Sequence, residues 1–356
     1  FGDFIGFLVA WGYWISIWVS NAGLAIAIIG GLSVFFPILN DSPFLSVTVA
    51  LGFIWFFTWI NSKGVKESGR IQVITTVLKL LPLIFIIIVG AFFFSLDNFP
   101  DFNLTGNGHF ETFPVVAALT LYAFLGVESA TIPAENVRNP ERNVPRATMI
   151  GTIITTLVYI LGTVVLFGLI PVAELSNSAA PFAEAGEIIG GEYGSYFVAF
   201  GAVISAVGCL NGWTLMVGQL PMAAAKDNMF PRIFKKENKN GVPIIGLIIG
   251  SLLTSGILLL GMSDGLVEQF SFVVNLTVLT ALIPYLFVSA AYVIVLIEKN
   301  KFPNSFLKTF LLGFLGVAYT IWAIFGSGSE VVFYGLILLL LSIPFYLLMK
   351  WNKSKM

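Results

Sequence analysis

Charged residues are scarce in this sequence. Among 356 residues, 18 are basic and 19 are acidic, and together they make up 10% of the chain. A soluble domain carries about 25% charged residues, because its surface has to be hydrated. Hydrophobic residues account for 57% instead, and the mean hydropathy is +0.94. This composition excludes soluble globular, disordered, coiled-coil and nucleic-acid-binding proteins, and it predicts a polytopic membrane protein.

Cysteine and histidine are nearly absent as well, with one of each, Cys209 and His109. This excludes a disulfide framework and a metal site with several Cys or His ligands. It also argues against an intramembrane metalloprotease, which needs a set of ligands, and a membrane serine protease, which needs a Ser–His pair within its spans. The acidic ring or carbonyl filter motif of a channel is missing too. We therefore expect no enzymatic activity, no metal and no cofactor.

Long apolar runs dominate the sequence. A helix needs about 20 apolar residues to cross the hydrocarbon core of a bilayer. Ten runs qualify, at roughly residues 4–36, 45–61, 71–95, 113–136, 147–172, 193–224, 243–262, 267–297, 306–326 and 330–350. They are too long for barrel strands and lack the period-two alternation of such strands. We predict an all-α membrane protein with ten transmembrane helices in this chain.

Basic residues occur in alternate connecting segments. Seventeen of the 18 lie there: Lys63, Lys66, Arg70; Arg138, Arg142, Arg146; Lys226, Arg232, Lys235, Lys236, Lys239; Lys299, Lys301, Lys308; and Lys350, Lys353, Lys355. The intervening loops contain Asp and Glu but no Lys or Arg. We call the two membrane surfaces the basic side and the acidic side. The positive-inside rule predicts that the basic side, with both ends of this chain, is cytoplasmic.

Two ionisable residues remain inside predicted spans, Lys79 in the third and Glu128 in the fourth. A charge near the bilayer centre costs at least about 2.5–3.5 kcal/mol, so such residues usually face a cavity or a partner. Lys79 could alternatively extend its ammonium group to the basic side. Glu128 could alternatively be a structural acceptor for nearby backbone groups.

The fourth span is predicted to be broken. Gly126 precedes Glu128 and Ser129, and Pro133 follows, so the helix is weakened where it is already polar. Unwound backbone at membrane depth is tolerated where it lines a cavity, and half-helix ends offer free N–H and C=O groups to a small ligand. A passive proline kink is the alternative.

Polar and aromatic residues on other spans are candidates to line the same cavity. Tyr13 and Asn21 are eight residues apart and lie on roughly one face of the first span. The sixth span contributes Asn211 and Trp213, and the eighth contributes Thr277. Aromatic rings suit a cationic ligand through cation–π contacts, whereas helix packing is the alternative for any one of them.

Three strings carry a resemblance to a known family: "YWISIWVSN" (13–21), "FLGVESATIPAENVRNPERNVPRA" (124–147) and "NGWTLMVGQLPMAAAKDNMFPRIFKKENKNGVP" (211–243). With them the chain resembles the amino acid–polyamine–organocation superfamily over nearly its whole length. Within it, the chain is most similar to the basic amino acid/polyamine antiporters of the arginine/agmatine type.

The resemblance implies a LeuT-like fold of twelve helices with an inverted repeat of five plus five, and a homodimer. The present spans then correspond to helices three to twelve. Residues 1–95 would belong to the first repeat, 113–297 to the second, and 306–350 to two C-terminal helices that are a candidate dimer contact. We expect the first two helices, with a glycine-rich break that binds the substrate carboxylate and amino group, to be missing from this chain.

The resemblance also implies roles for single residues. Asn21 and Thr277 would contact the substrate head group, and Trp213 would pack on the aliphatic stem of the substrate. Tyr122 replaces a tryptophan that stacks on the guanidinium group. Tyr13 would belong to the outward gate, the broken backbone at Gly126 would line the site, and Glu128 would respond to pH.

Lys79 departs from the arginine/agmatine type, which has a small apolar residue there. Other members of the superfamily have a lysine near the sodium position of sodium-coupled relatives. From the spans, the cavity candidates and the resemblance together, the leading hypothesis is a transporter of the plasma (inner) membrane that exchanges a cationic amino acid for its amine or another amino acid. Proton-coupled symport with Lys79 in place of sodium is the alternative, with protons as a further partner.

Overall fold

The computed structural model describes residues 1–64, 68–99, 103, 104, 106, 108–128, 137–263, 265–298 and 306–354. Within this part of the chain the regular structure is helical, without a strand. The helices are α1 Asp3–Ser33, α2 Ile38–Asp41, α3 Pro43–Ser62, α4 Ser68–Gly90, α5 His109–Tyr122, α6 Pro140–Leu169, α7 Val172–Leu175, α8 Pro181–Lys226, α9 Ile244–Leu260, α10 Leu266–Glu298, α11 Phe306–Gly326, α12 Ser329–Leu340 and α13 Ser342–Ser354. Short 3₁₀ turns lie at Leu96–Asn98 and Arg232–Lys235.

The predicted all-α class is confirmed by these helices. Seven described segments are long and apolar enough to cross a membrane: Asp3–Ser33, Pro43–Ser62, Pro140–Leu169, Pro181–Lys226, Leu266–Glu298, Thr309–Gly326 and Ser329–Trp351. The other three predicted spans contain the shorter apolar helical segments Leu78–Gly90, Phe110–Tyr122 and Ile244–Leu260. The chain is thus a multi-pass membrane protein, while the count of ten spans and the inverted repeat stay predictions.

Three predicted spans differ from the observed helices. In the fourth predicted span, helix α5 ends at Tyr122, whereas the span was predicted to reach 136. Residues 129–136 lie outside the described part of the chain. α8 begins at Pro181 rather than 193, because it includes a kink where Gly190 and Gly191 leave helical φ/ψ values. The last span is interrupted at Leu341, between α12 and α13.

α1 forms the centre of the fold and packs against α3, α8, α9 and α10. Its aromatic residues near the basic side are buried, including Trp11 and Trp14. Both rings contact Phe230, which lies in the segment between α8 and α9. Trp14 therefore packs between elements, and it lies outside the polar cavity described below.

Proline shapes the two helices that flank α1. Pro221 in α8 has no N–H, so the carbonyl of Val217 loses its helical partner. The Trp14 indole N–H donates to this carbonyl oxygen at 2.9 Å. In α10, Pro284 releases the carbonyl of Thr280 in the same way. A side chain at Gly12 would lie 3.3 Å from that oxygen, so α1 packs closely on both proline sites.

Candidate functional site

The site begins where α5 stops. After Tyr122 the backbone continues as turns, with the N–H of Leu125 donating to the Tyr122 carbonyl at 3.2 Å. Gly126 then adopts φ +99°, in the left-handed region that side chains disfavour. The helix is therefore interrupted before Glu128, as the sequence predicts at Gly126. Ser129 and Pro133, the other residues of the predicted break, lie outside the described residues.

The Glu128 carboxylate connects this interrupted segment to α1. Its Oε2 accepts the backbone N–H of Gly126 at 3.0 Å, and its Oε1 accepts the Tyr13 hydroxyl at 2.6 Å. The hydroxyl of Tyr285, on α10, also interacts with this carboxylate. A partly buried acidic group is thus held by elements from three parts of the fold.

A cavity of about 190 Å³ lies beside this carboxylate. It is enclosed by α1, the end of α5, α6, α8 and α10. The lining residues are Tyr13, Ser16, Ile17, Ser20, Leu24, Tyr122, Ala123, Leu125, Glu128, Tyr159, Cys209, Trp213, Thr277 and Ala281. Among these described residues Glu128 is the one charged side chain, and three tyrosines and one tryptophan surround the same space.

Trp213 and Tyr122 form two aromatic walls of the cavity. A Cβ added to Gly126 would lie 2.7 Å from Cζ2 of Trp213, so the ring packs directly on the interrupted backbone. The Tyr122 hydroxyl is 3.3 Å from Oγ of Ser20, and its ring meets Phe270 edge-to-face at 6.2 Å. Both rings present apolar faces to a space that also contains a carboxylate.

The structure brings together most of the predicted site residues. Tyr13, Tyr122, Glu128, Trp213 and Thr277 all line the cavity, and Gly126 lies directly behind Trp213. The Thr277 hydroxyl donates to the carbonyl of Val273 in its own helix, which leaves its oxygen available as an acceptor.

Tyr13 lies at one end of the cavity, and the role in an outward gate that the resemblance implies for it stays a prediction. It lies at the end of the cavity stripe on α1 that is nearer to the basic side, and Ser20 and Leu24 lie toward the acidic side. Its hydroxyl bonds to Glu128 at that end, whereas Tyr122 contacts Ser20 and Phe270 farther along α1.

Asn21 and Lys79 are not among the lining residues. The lining stripe of α1 consists of Tyr13, Ser16, Ile17, Ser20 and Leu24. Asn21 is rotated about 80° from Tyr13, beyond the edge of that stripe. Asn21 is 3% exposed, and its Oδ1 has no hydrogen-bond partner within the described structure. Lys79 is half-buried on α4. Their predicted roles stay predictions.

Asn211, a further candidate, has a structural role instead. The Nδ2 group of Asn61, on α3, donates to Oδ1 of Asn211 at 3.0 Å and to the carbonyl of Phe57 at 2.9 Å. Asn61 is 1% exposed, so this amide pair satisfies polar groups in the contact between α3 and α8. The Asn211 side chain therefore hydrogen-bonds across a contact between two helices.

Sequence reasoning missed Tyr159 and Tyr285. Tyr159 lies in α6 and forms an edge-to-face contact with Phe124 at 5.6 Å, which places it beside the interrupted segment. Tyr285 directly follows Pro284 in α10. The available signal for both residues is a tyrosine hydroxyl in an otherwise apolar span. Only the tertiary structure shows that the Tyr285 hydroxyl interacts with Glu128. Cys209 also lines the cavity, a position that nothing in its local sequence indicates.

Comparisons with known proteins show what the chain is similar to. The family described as Amino acid permease matches residues 1–346. The putrescine transporter PotE of Escherichia coli (strain K12) is 33% identical over 349 residues, which cover 97% of this chain and 79% of that protein. The arginine/agmatine antiporter of Chlamydia pneumoniae is 32% identical, covering 98% of this chain and 74% of that protein. These relatives are transporters of small molecules and not enzymes.

Proposed function

The chain belongs to the amino acid permease family, and on that premise we propose that it is a secondary transporter that exchanges cationic amino acids or amines. The exchange would run by alternating access, with the cavity beside Glu128 as the substrate site. Arginine, agmatine and putrescine are the substrates to test first, because one relative is a putrescine transporter and another is an arginine/agmatine antiporter.

The proposal of a cationic substrate rests on one observation. Glu128 is the single charged side chain among the described lining residues, and it lies on the same cavity as Tyr122 and Trp213. A carboxylate attracts an ammonium or guanidinium group. An aromatic ring attracts the same groups through its quadrupole when the cation lies over the ring face, within about 6 Å of the ring centroid. A neutral substrate would form no ion pair with this carboxylate, and an anionic substrate would be repelled by it.

The Tyr13–Glu128 hydrogen bond supports alternating access. It joins α1 to the interrupted segment after α5 at 2.6 Å, on the basic side of the cavity. A substrate that leaves toward the basic side has to pass this contact. We propose that the bond opens in one state and closes in the other, and that a cation on Glu128 competes with Tyr13 for the carboxylate oxygen.

Proton symport through Lys79 is the weaker proposal. Lys79 lies half-buried on α4 and is not among the residues that line the cavity. Glu128 is a more direct candidate for any proton step, since it already lies on the cavity. The LeuT-like repeat, the homodimer and the cytoplasmic position of both chain ends remain proposals that rest on the family resemblance and the charge pattern.

Uptake into proteoliposomes separates the two modes. Vesicles with the purified transporter are prepared empty or loaded with unlabelled arginine, agmatine or putrescine, and labelled substrate is added outside. Exchange predicts uptake only into loaded vesicles, with or without a pH gradient. Uptake into empty vesicles that follows an imposed pH gradient would favour symport, and no uptake of any of these cations would contradict the proposed substrate class.

A further inference from the structure

A second cavity, separate from the substrate cavity, lies between the end of α1 and the two arms of α8. Its volume is about 300 Å³. α8 bends at Gly190 and Gly191, where both residues leave helical φ/ψ values. A Cβ on Gly186 would lie 2.6 Å from the carbonyl oxygen of Gly194, so the two arms touch beside the bend. We call this cavity the outer pocket.

Three carboxylates line the outer pocket. Glu184 and Glu187 lie on the first arm of α8, and Glu192 lies just beyond the bend. Neither Lys nor Arg occurs among the described lining residues, and the loops on the acidic side contain none in the sequence. Three negative charges around one small cavity repel each other. A cation from solution would relieve this repulsion, and the chain offers no basic residue on this side to do so.

The pocket also contains a buried hydroxyl without a hydrogen bond. Ser195 is 6% exposed and lines the pocket, and within the described structure its hydroxyl has no partner. A helical serine or threonine can donate to the carbonyl four residues earlier, as Thr214 does to Leu210 at 2.6 Å. For Ser195 that residue is Gly191, which has φ +60° and ψ −154°. Because buried polar groups are nearly always hydrogen-bonded, this hydroxyl indicates a ligand in the pocket.

The spacing of the acidic groups favours an extended organic cation. Among the described residues, no group of three or more His, Cys, Asp or Glu side chains is placed to hold a metal ion. A molecule with two separated ammonium or guanidinium groups can instead pair with different carboxylates at once. The Ser195 oxygen can accept an N–H of the same molecule.

The outer pocket is connected to the substrate cavity along one face of α1. A third cavity, of about 370 Å³, lies between them and shares residues 179, 180 and 183 with the outer pocket. Phe270 lines the third cavity and contacts Tyr122 of the substrate cavity. The α1 residues that line the three cavities recur every three or four positions, as one helix face requires: Ser20, Leu24, Ala27, Gly31 and Val34.

We propose that the outer pocket binds an organic dication of the alkyl diamine class, such as putrescine or agmatine, on the acidic side of the substrate cavity. Its positive groups pair with Glu184, Glu187 and Glu192, and Ser195 accepts one N–H. The ligand class rests on the carboxylates of this pocket. The further role of the pocket as an entry site rests on the proposed exchange of cations.

Protection of an introduced thiol tests the pocket without a transport assay. Cys209 is the single cysteine of the sequence, so Cys209→Ser removes the native thiol. In that protein, Asn40→Cys places a thiol on an exposed residue that lines the outer pocket. The rate of its alkylation by uncharged N-ethylmaleimide is followed by mass spectrometry. Putrescine at ten times its Kd should slow this reaction about tenfold, whereas uncharged butane-1,4-diol should not slow it.

A second thiol is the matched control. Ser329→Cys, in the same cysteine-free protein, lies exposed beside Glu330 on the acidic side and away from the outer pocket. Putrescine should leave its alkylation rate unchanged. Equal slowing at both positions, or equal slowing by sodium chloride of the same ionic strength, would show general screening of charge and overturn the proposal.

Carboxylate variants locate the bound cation. Glu187 and Glu192 are exposed, so changing both to Gln should leave the fold intact and raise the Kd for putrescine about two- to tenfold, the range of two exposed ion pairs. Glu330→Gln removes the same kind of charge outside the pocket and should leave the Kd unchanged. Ser195→Ala should raise it about three- to tenfold, as for loss of one hydrogen bond. An unchanged Kd in the Glu187→Gln, Glu192→Gln protein would overturn the proposal.

Glu128→Gln separates this site from the substrate cavity. The variant changes the substrate cavity alone, so putrescine should still protect the thiol at position 40. Protection that disappears in Glu128→Gln would show that the cation binds only in the substrate cavity, against the proposal. Protection in a protein that exchanges none of the tested cations would refute the proposed function and leave the outer pocket as a binding site.

Discussion

The ring of Trp213 lies directly on the backbone of Gly126, where an added Cβ would come within 2.7 Å of Cζ2. Gly126 also has φ +99°, which a residue with a side chain adopts at a cost. An aromatic wall on α8 and the interruption after α5 are therefore one structural unit. Because Glu128 bonds to the N–H of the same glycine, a change at Gly126 affects the carboxylate and the ring together.

We expect Gly126→Ala to lower the transport rate at least tenfold. A non-glycine residue in a sparsely populated backbone region costs about 1–3 kcal/mol, and the contact with Trp213 adds to this. The measurement is the initial rate of exchange in proteoliposomes, normalised to folded protein by size-exclusion chromatography. Gly212→Ala is the control, since a Cβ there meets no atom within 4 Å. Exchange at the wild-type rate in Gly126→Ala would show that this contact is not needed.

The Tyr13–Glu128 contact predicts non-additive kinetics. Tyr13→Phe and Glu128→Gln each remove the charged hydrogen bond, which is worth about 1.5–3 kcal/mol. We expect each single variant to lose roughly tenfold or more in kcat/KM and the double variant to lose little beyond the worse single one. The measurement is a double-mutant cycle on exchange. Losses that multiply in the double variant would mean that the two groups act independently.

Trp213 and Asn21 should differ in their effects. Trp213→Ala removes an aromatic wall, and we expect the apparent KM for a cation to rise about tenfold, since cation–π contacts contribute about 0.5–2 kcal/mol. Asn21 is outside the lining, so Asn21→Ala should raise KM less. The check is the substrate dependence of exchange for both variants. If Asn21→Ala had the larger effect, the head-group role that the resemblance assigns to Asn21 would be supported against the position in this structure.

The Trp14–Val217 bond predicts a rescue of stability. Trp14→Phe leaves the Val217 carbonyl without a partner, and we expect a loss of about 1–3 kcal/mol. Adding Pro221→Ala supplies an N–H that can complete the helical bond to the same carbonyl. The double variant should therefore be more stable than Trp14→Phe alone in thermal unfolding in detergent. A double variant no more stable than Trp14→Phe would show that the freed carbonyl is not the reason for the loss.

The sequence was sufficient for the helical architecture and for much of the site. Apolar runs located the helices because bilayer thickness imposes a minimum length on them. The break at Gly126 was predictable, since glycine, a carboxylate and a proline cluster within one span. The kink at Gly190–Gly191 was missed, because the apolar run that defines the span starts only after it.

Which residues of a helix line the cavity depends on rotation about the helix axis. Asn21 lies about 80° from Tyr13 and outside the lining, and helical spacing alone does not fix where the edge of a cavity lies. Asn211 and Trp213 are two residues apart, yet Asn211 bonds to Asn61 and Trp213 lines the cavity. Tyr285 reaches Glu128 through a contact between distant elements, which no local pattern reveals.

Equilibrium binding to the purified transporter tests the central claim most directly. Labelled arginine, agmatine and putrescine are titrated against the wild type, Glu128→Gln and Glu128→Asp, with leucine as a neutral competitor. The account predicts that Glu128→Gln weakens cation binding about 10- to 100-fold, the size of a lost charged hydrogen bond, and that Glu128→Asp weakens it less. Wild-type affinity for these cations in Glu128→Gln, or displacement by leucine as effective as by unlabelled cation, would contradict it.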